Sequence, residues 1–123
     1  MLRDRACPQG GWNAGNGIVF GSALTPHIDT TAIALLALTE GKDAAAAQGL
    51  NWLRQACADC TSVYSLAWSA IALAVHQDQA LSHCVADLHR VLSSTEAIPN
   101  IEALSLAAIA IKVAEGGTNP FEW

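Results

Sequence analysis

The sequence predicts an all-α protein made of helical-hairpin repeats in which inner and outer helices alternate. Three observations lead to this prediction. Apolar residues recur with helical spacing in five segments between residues 27 and 116. Segments one, three and five are apolar nearly all round, whereas segments two and four carry one apolar stripe opposite polar residues. Segments one and three also have similar sequences, as repeated units do.

Residues 1–26 are predicted to be a glycine-rich loop region that carries a Gly-Gly-Trp motif. The stretch from Arg5 to Pro26 holds five of the nine glycines, two prolines and two asparagines, which interrupt the backbone too often for a long helix. Residues 27–123 are predicted to form the helical repeat domain. A chain of 123 residues has room for one domain, so both parts belong to a single domain overall.

The first two helical segments have recognisable ends. Segment one is predicted over residues 27–40, with Thr25 as its N-cap and Gly41 as its stop. Segment two is predicted to begin after the N-cap Asp43 and to continue to Cys57. The apolar stripe of segment two consists of Ala46, Gly49, Leu50, Leu53 and Cys57.

The remaining three segments follow the same scheme. Segment three is predicted over residues 62–77, capped by Thr61 or Ser62, and it is apolar on nearly every side. Segment four is predicted to begin after the N-cap Asp78, and segment five is predicted over residues 99–116. The apolar face of segment four consists of Leu81, Cys84, Val85, Leu88, Val91 and Leu92.

The distribution of apolar residues assigns the segments to two layers. A helix that is apolar on all sides must be enclosed, whereas a helix with one stripe can lie outside it and face water. The stretch from Asp29 to Leu38 matches that from Tyr64 to Leu73 at an offset of 35 residues, from 29 to 64, and Glu102 to Ile111 is a looser third copy. Periods of about 34 to 47 residues are typical of helical-hairpin repeats. Chance similarity between the Ala-rich and Leu-rich helices of an independent bundle is the alternative.

Three stretches resemble a known repeat family. They are Gly10 to Asn16 (GGWNAGN), Thr25 to Ala32 (TPHIDTTA) and Tyr64 to Val75 (YSLAWSAIALAV). They resemble the prenyltransferase and squalene-oxidase repeats of terpenoid cyclases and of protein prenyltransferase β subunits. The resemblance implies an α/α toroid, of which five helices form only a part.

The resemblance also implies roles for particular residues. In that family the glycine-tryptophan motif packs at helix ends and braces neighbouring repeats, so Gly11, Trp12 and Asn13 are expected to form a structural motif. Cyclases of that family stabilise cations in a cavity lined by aromatic side chains. The candidates for lining such a cavity in this chain are Trp68, Tyr64 and Trp52. Packing in the core is the alternative use of these three side chains.

The resemblance does not supply a set of catalytic residues. Cyclases of the hopene type protonate an alkene with an Asp-x-Asp-Asp motif, but here Asp29 is followed by Thr30 and Thr31. Zinc-dependent prenyltransferases use an Asp, a Cys two positions further on and a distant His, but here Asp59 and Cys60 are adjacent. Whether the chain is an enzyme therefore stays open, the catalytic residues are unknown, and no cofactor is expected.

The cysteines allow two interpretations. Cys57 and Cys60 have the two-residue spacing of many zinc sites, and with Asp59 they are the candidates for metal ligands. Cys57 and Cys84 also fall on apolar stripes, where a free cysteine acts as a small buried hydrophobe. Burial is the favoured interpretation, so no metal site is predicted, and catalytic or disulfide roles rank below both.

Composition limits the partners. Charged residues make up 14% of the chain and the net charge is -5, so no nucleic-acid partner is expected. No stretch has the roughly 20 apolar residues of a transmembrane helix. We expect a cytoplasmic protein that forms homo-oligomers or is part of a longer chain, and that binds an apolar, isoprenoid-like ligand or a partner protein. The alternative is a portion of an enzyme acting on isoprenoids whose catalytic residues lie elsewhere.

Overall fold

The computed structural model of the chain describes residues 5–8, 10–13, 18–19, 22–23, 25–38, 44–93 and 101–116. In these ranges the chain forms five helices, which confirms the all-α class. They are α1 (Ile28–Ala37), α2 (Ala44–Cys57), α3 (Val63–Val75), α4 (Leu81–Leu92) and α5 (Ile101–Ala114). Two strands of two residues each, β1 (Ile18–Val19) and β2 (Ser22–Ala23), pair antiparallel within the predicted loop region. The sequence had not predicted this short pair.

The predicted N-cap of α1 is wrong. The helix is capped by His27 and not by Thr25, because the His27 N–H donates to the carbonyl oxygen of Trp12 at 2.8 Å and His27 stays in an extended conformation. Of the two predicted caps of α3, Thr61 and Ser62, the cap is Ser62, and its hydroxyl accepts a hydrogen bond from the Ser65 N–H at 3.3 Å. At the C-terminal end of α5, Gly116 adopts a left-handed φ of 93°, as helix-terminating glycines do.

The predicted N-cap of α4 is also wrong. Asp78 lies one turn ahead of the helix, Ala80 is the capping residue, and α4 begins at Leu81. The reason is that the Asp78 carboxylate already accepts the Ala80 N–H at 2.9 Å, which forms a separate turn before the helix. The predicted boundary residues Gly41, Asp43 and Pro99 lie outside the described residues.

Helix α3 occupies the centre of the packing. It contacts α1, α4 and α5 extensively and α2 to a smaller extent, while α2 packs mainly on α1. No residue of α3 is exposed. The stripe positions of α2 and α4 are buried or half-buried, as predicted from their spacing.

Helices α1 and α5 differ from the prediction that both are enclosed. Ile33 on α1 is 44% exposed and Leu104 on α5 is 47% exposed. Each of these helices packs on α3, and among the described residues neither packs extensively on the other. Each therefore has one side covered by α3 and an opposite side that no described helix covers.

Helices α1 and α3 run in the same direction. At their C-terminal ends, His76 Nε2 donates to the carbonyl oxygen of Leu35 at 2.7 Å. Helix α2 connects the two. Burial raises the pKa of Cys60, which lies between α2 and α3. None of the helices in the described ranges is long and apolar enough to cross a membrane.

Candidate functional site

The Gly-Gly-Trp motif ties the N-terminal segment to the helices. Trp12 is 2% exposed, and its backbone N–H donates to Thr31 Oγ1 at 2.9 Å. The Thr31 hydroxyl donates back to the Trp12 carbonyl oxygen at 3.0 Å. These two hydrogen bonds join the backbone of the motif to a fully buried side chain of α1, so their loss would leave buried polar groups without partners.

Glycine is required at two positions close to Trp12. Gly11 has a left-handed φ of 82°, and a Cβ there would lie 2.9 Å from Thr31 Oγ1. Gly49 on α2 leaves the space that the ring fills, because a Cβ at Gly49 would lie 2.7 Å from Trp12 Cζ3. The structure thus places Gly11 and Trp12 at the junction of α1, α2 and the N-terminal segment. Asn13 is half-buried beside them.

We expect Gly49→Ala to destabilise the protein by about 1 to 2 kcal/mol. Alanine in a helix interior gains up to about 1 kcal/mol over glycine. Overpacking a filled site costs about 1 to 3 kcal/mol. The backbone of Trp12 is held by its hydrogen bonds to Thr31, and its side chain is buried, so the ring has little room to move away from the added methyl group. The measurement is chemical unfolding of the variant and of the same change in a Trp12→Leu background. If Gly49→Ala destabilises both backgrounds equally, the added methyl group does not clash with the Trp12 ring.

The three aromatic residues predicted to line a cavity lie in two places. Tyr64 and Trp68 are half-buried on successive turns of α3, with ring centroids 6.4 Å apart and ring planes at 80°. Trp52 lies on α2, and its Cε3 atom would be 3.2 Å from a Cβ on Gly11. None of the three lines either of the two cavities described below for this part of the chain. Their role in ligand binding stays a prediction.

An ion pair fixes the turn between α3 and α4. Arg54 Nε donates to both carboxylate oxygens of Asp78 at 3.0 Å, and the Ala80 N–H donates to Asp78 Oδ1. The hydrogen bonds from Arg54 are the main cause that lowers the pKa of Asp78. The Asp78 side chain is 4% exposed and that of Arg54 is 40% exposed. Sequence reasoning assigned Asp78 only to a helix cap, since nothing local links two residues 24 positions apart.

We expect Asp78→Asn to lower stability by about 1 to 2 kcal/mol at pH 7. The folded protein holds the pKa of Asp78 below the unfolded value of about 3.9. The contribution of the carboxylate is therefore complete above that value and is lost as the pH falls through the lower folded pKa. Urea unfolding across pH 2 to 7 should show the two proteins converging at the acid end. Asp87→Asn is the control, because Arg90 is exposed and Asp87 is only half-buried, so this pair should contribute less than about 0.5 kcal/mol.

A cleft of about 280 Å³ lies between α2, α3 and α4. Its buried lining includes the thiols of Cys57 and Cys84, whose residues are 5% and 2% exposed. His83 and Arg54 line the outer part, where both are exposed, and Asp87 is half-buried between. Two buried thiols thus share one cleft with cationic, imidazole and carboxylate side chains.

The two thiols of the cleft interact. A hydrogen bond from Cys84 is the main cause that lowers the pKa of Cys57, and the same contact, with burial, raises the pKa of Cys84. The Cys84 thiol also lies 3.5 Å from the carbonyl oxygen of Leu66.

The candidate metal ligands do not converge in the described ranges. Cys57 and Cys60 are buried, Asp59 is exposed, and the Cys60 thiol donates to the carbonyl oxygen of Ser62 at 3.9 Å. Among the described residues, no three or more His, Cys, Asp or Glu side chains are grouped so that they could hold a metal ion.

A second cavity, of about 340 Å³, lies between α4 and α5. Its walls are mostly aliphatic, with polar groups at the edge. The lining consists of Leu81, Ser82, Val85, His89, Ile111, Ala114 and Glu115. Sequence reasoning did not identify this cavity, because its lining comes from two segments whose contact no local pattern predicts.

Comparisons with models of known protein families, with curated protein sequences and with solved structures find no match. The relation to terpenoid-cyclase and prenyltransferase repeats therefore remains a prediction made from the residues.

Proposed function

We propose that the chain is a module of an α/α toroid of the terpenoid-cyclase and prenyltransferase type, which binds further helices through α1 and α5 and holds an apolar ligand. The observation that carries the proposal is the contrast between α3, with no exposed residue, and the flanking helices, each of which exposes a large aliphatic side chain. Helices α1, α3 and α5 would be the inner layer, and α2 and α4 the outer layer.

The direction of the helices supports this arrangement. In an α/α toroid the inner helices are parallel and the outer helices return between them. Helices α1 and α3 have this relation, since His76 joins their C-terminal ends and α2 connects one to the other. The offset of 35 residues between their sequences is the length of one helical hairpin with its turns.

The uncovered sides of α1 and α5 carry apolar residues at helical spacing. On α1 the exposed residues Ile33 and Ala37 share a face. On α5 the exposed residues Leu104 and Ala108 share a face, and exposed polar residues, Glu102, Ser105 and Lys112, lie on the same helix. By contrast, no exposed position of α4 carries a large aliphatic side chain, as for a helix that faces water. The partner proposed for these two flanks is helices of the same kind, from a second copy or from the rest of a longer chain.

Sedimentation velocity tests whether the uncovered sides of α1 and α5 bind further helices. We expect the wild-type chain to self-associate as concentration rises, and Ile33→Glu and Leu104→Glu each to shift the distribution towards monomer, because a buried carboxylate is unfavourable at an apolar interface. Ala86→Glu on the exposed side of α4 is the matched control and should change nothing. If the chain is instead monomeric, we expect that the rest of a longer chain normally covers the apolar sides of α1 and α5. In that case these sides should bind a hydrophobic dye, and Ile33→Glu and Leu104→Glu should each weaken that binding. A monomer that binds no dye would refute the proposal.

The aliphatic cavity between α4 and α5 supports the ligand part of the proposal. Its volume is in the range of small-molecule sites, which are mostly apolar with a few polar groups at the edge. We expect calorimetry to detect binding of farnesol, and Val85→Phe, which fills the cavity, to weaken it about tenfold or more. The control is Val63→Phe away from this cavity. No farnesol binding would contradict the proposal, and tight, zinc-dependent binding of farnesyl diphosphate would favour the alternative of an enzyme portion.

A further inference from the structure

Two cysteines from different helices lie against the same turn of α3. Cys57 is the last residue of α2, and Cys84 is in the first turn of α4. The Cys84 Sγ atom is 3.5 Å from the carbonyl oxygen of Leu66, and Cys57 lies beside the side chain of Ser69, three residues further along α3. Both thiols line the same cleft, so they share one route to solvent.

The closer neighbour in sequence is not the partner of Cys57. The Cys60 thiol is directed at the carbonyl oxygen of Ser62, and Cys60 is not in the lining of the cleft. Cys57 and Cys84, in contrast, both line the cleft. The arrangement therefore favours a contact between α2 and α4 over the Cys-x-x-Cys pair that the spacing suggests.

We propose that Cys57 and Cys84 are an oxidisable pair, which hydrogen peroxide converts into a disulfide that joins α2 to α4 beside α3. The Cys57 thiolate attacks one oxygen of the peroxide, and the O–O bond breaks. This step leaves a sulfenic acid on Cys57 and releases hydroxide, which takes up a proton to form water. The Cys84 sulfur then attacks the sulfenic sulfur, the S–O bond breaks, and the hydroxyl leaves as water with the Cys84 proton. Two thiols and one peroxide thus give one disulfide and two waters, and the two sulfurs supply the two electrons that reduce the peroxide.

The disulfide would change the stability of the module. It closes a loop of 28 residues (57 through 84) that contains all of α3. A cross-link of this length restricts the unfolded chain and should raise the melting temperature by about 5 to 10 °C. It would also cover the inner end of the cleft, because both sulfurs lie there. Oxidation would therefore lock the outer helices on α3.

Peptide mapping of the oxidised full chain tests the pairing. All four cysteines are free, so peroxide treatment of the folded protein should lower the count of titratable thiols from four to two and the mass by about 2 Da. Cleavage before aspartate separates the three relevant cysteines, because Asp43, Asp59 and Asp78 precede them and Asp87 follows. Cys57 then lies in residues 43–58, Cys60 in residues 59–77 and Cys84 in residues 78–86. We expect residues 43–58 to be linked to residues 78–86.

Matched variants separate the pair from the other thiols. Cys57→Ser and Cys84→Ser should each abolish the loss of 2 Da and the rise in melting temperature, while Cys60→Ser and Cys7→Ser should retain both. The wild-type map needs no variant, so it decides the question even where a serine substitution prevents folding. A link between residues 43–58 and 59–77 would overturn the proposal. The proposal would also be overturned if all four thiols stayed free under peroxide treatment that oxidises glutathione in the same tube. A disulfide that forms only in urea would overturn it as well.

Discussion

Replacing Trp12 with alanine is expected to lower the free energy of unfolding by about 3 to 5 kcal/mol, the largest change that we predict. The ring is 2% exposed and fills the space above Gly49, and the Trp12 backbone is hydrogen-bonded to Thr31 and His27. Removing the ring leaves a cavity between α1 and α2 that only a movement of the N-terminal segment can close. Calorimetric unfolding and guanidinium titration at neutral pH measure the loss.

Trp52→Ala is the matched control for this prediction. Trp52 on α2 has the same type of side chain but is half-buried. We therefore expect Trp52→Ala to lower the free energy of unfolding clearly less than Trp12→Ala does. Equal losses would mean that the N-terminal segment contributes no specific packing. In that case the structural role of the Gly-Gly-Trp motif would be wrong.

Replacing Leu66 with alanine is expected to cost about 2 to 5 kcal/mol. Leu66 is fully buried on α3, where neighbouring helices surround it and cannot collapse into the space. Leu104→Ala removes the same atoms from a side chain that is 47% exposed on α5, and we expect it to cost less than about 1 kcal/mol in the monomer. Urea titrations of both variants at low protein concentration make the comparison. Similar losses would show that α3 is no more enclosed than α5.

The sequence predicted those features of the fold that local patterns encode. The spacing of Ala46, Leu53 and Cys57 identified the buried face of α2, and the hydroxyl of Ser62 identified the start of α3. The predicted caps of α1 and α4 were wrong, the first because of a group distant in sequence and the second because of a local turn. Trp12 holds the backbone at His27, and the Asp78 carboxylate forms a turn of its own before α4.

The candidate site was predictable only in part. Burial of Cys57 and Cys84 followed from their positions on apolar stripes, but their contact with each other depends on how α2 and α4 pack on α3. The same holds for the pair of Arg54 with Asp78 and for the hydrogen bond of His76 with the Leu35 carbonyl. No local period relates residues on separate helices, so only the packed structure reveals these contacts.

Hydrogen exchange followed by mass spectrometry, at increasing protein concentration, most directly tests the claim that α3 is the inner helix between two open flanks. We expect the amides of α3 to exchange slowest at every concentration, because they open only with the whole fold. Exchange in α1 and α5 should be faster in dilute protein and should slow as the flanks associate, whereas α2 and α4 should not respond. Exchange in α3 as fast as in α1 and α5, or concentration-dependent protection confined to α2 and α4, would contradict the claim.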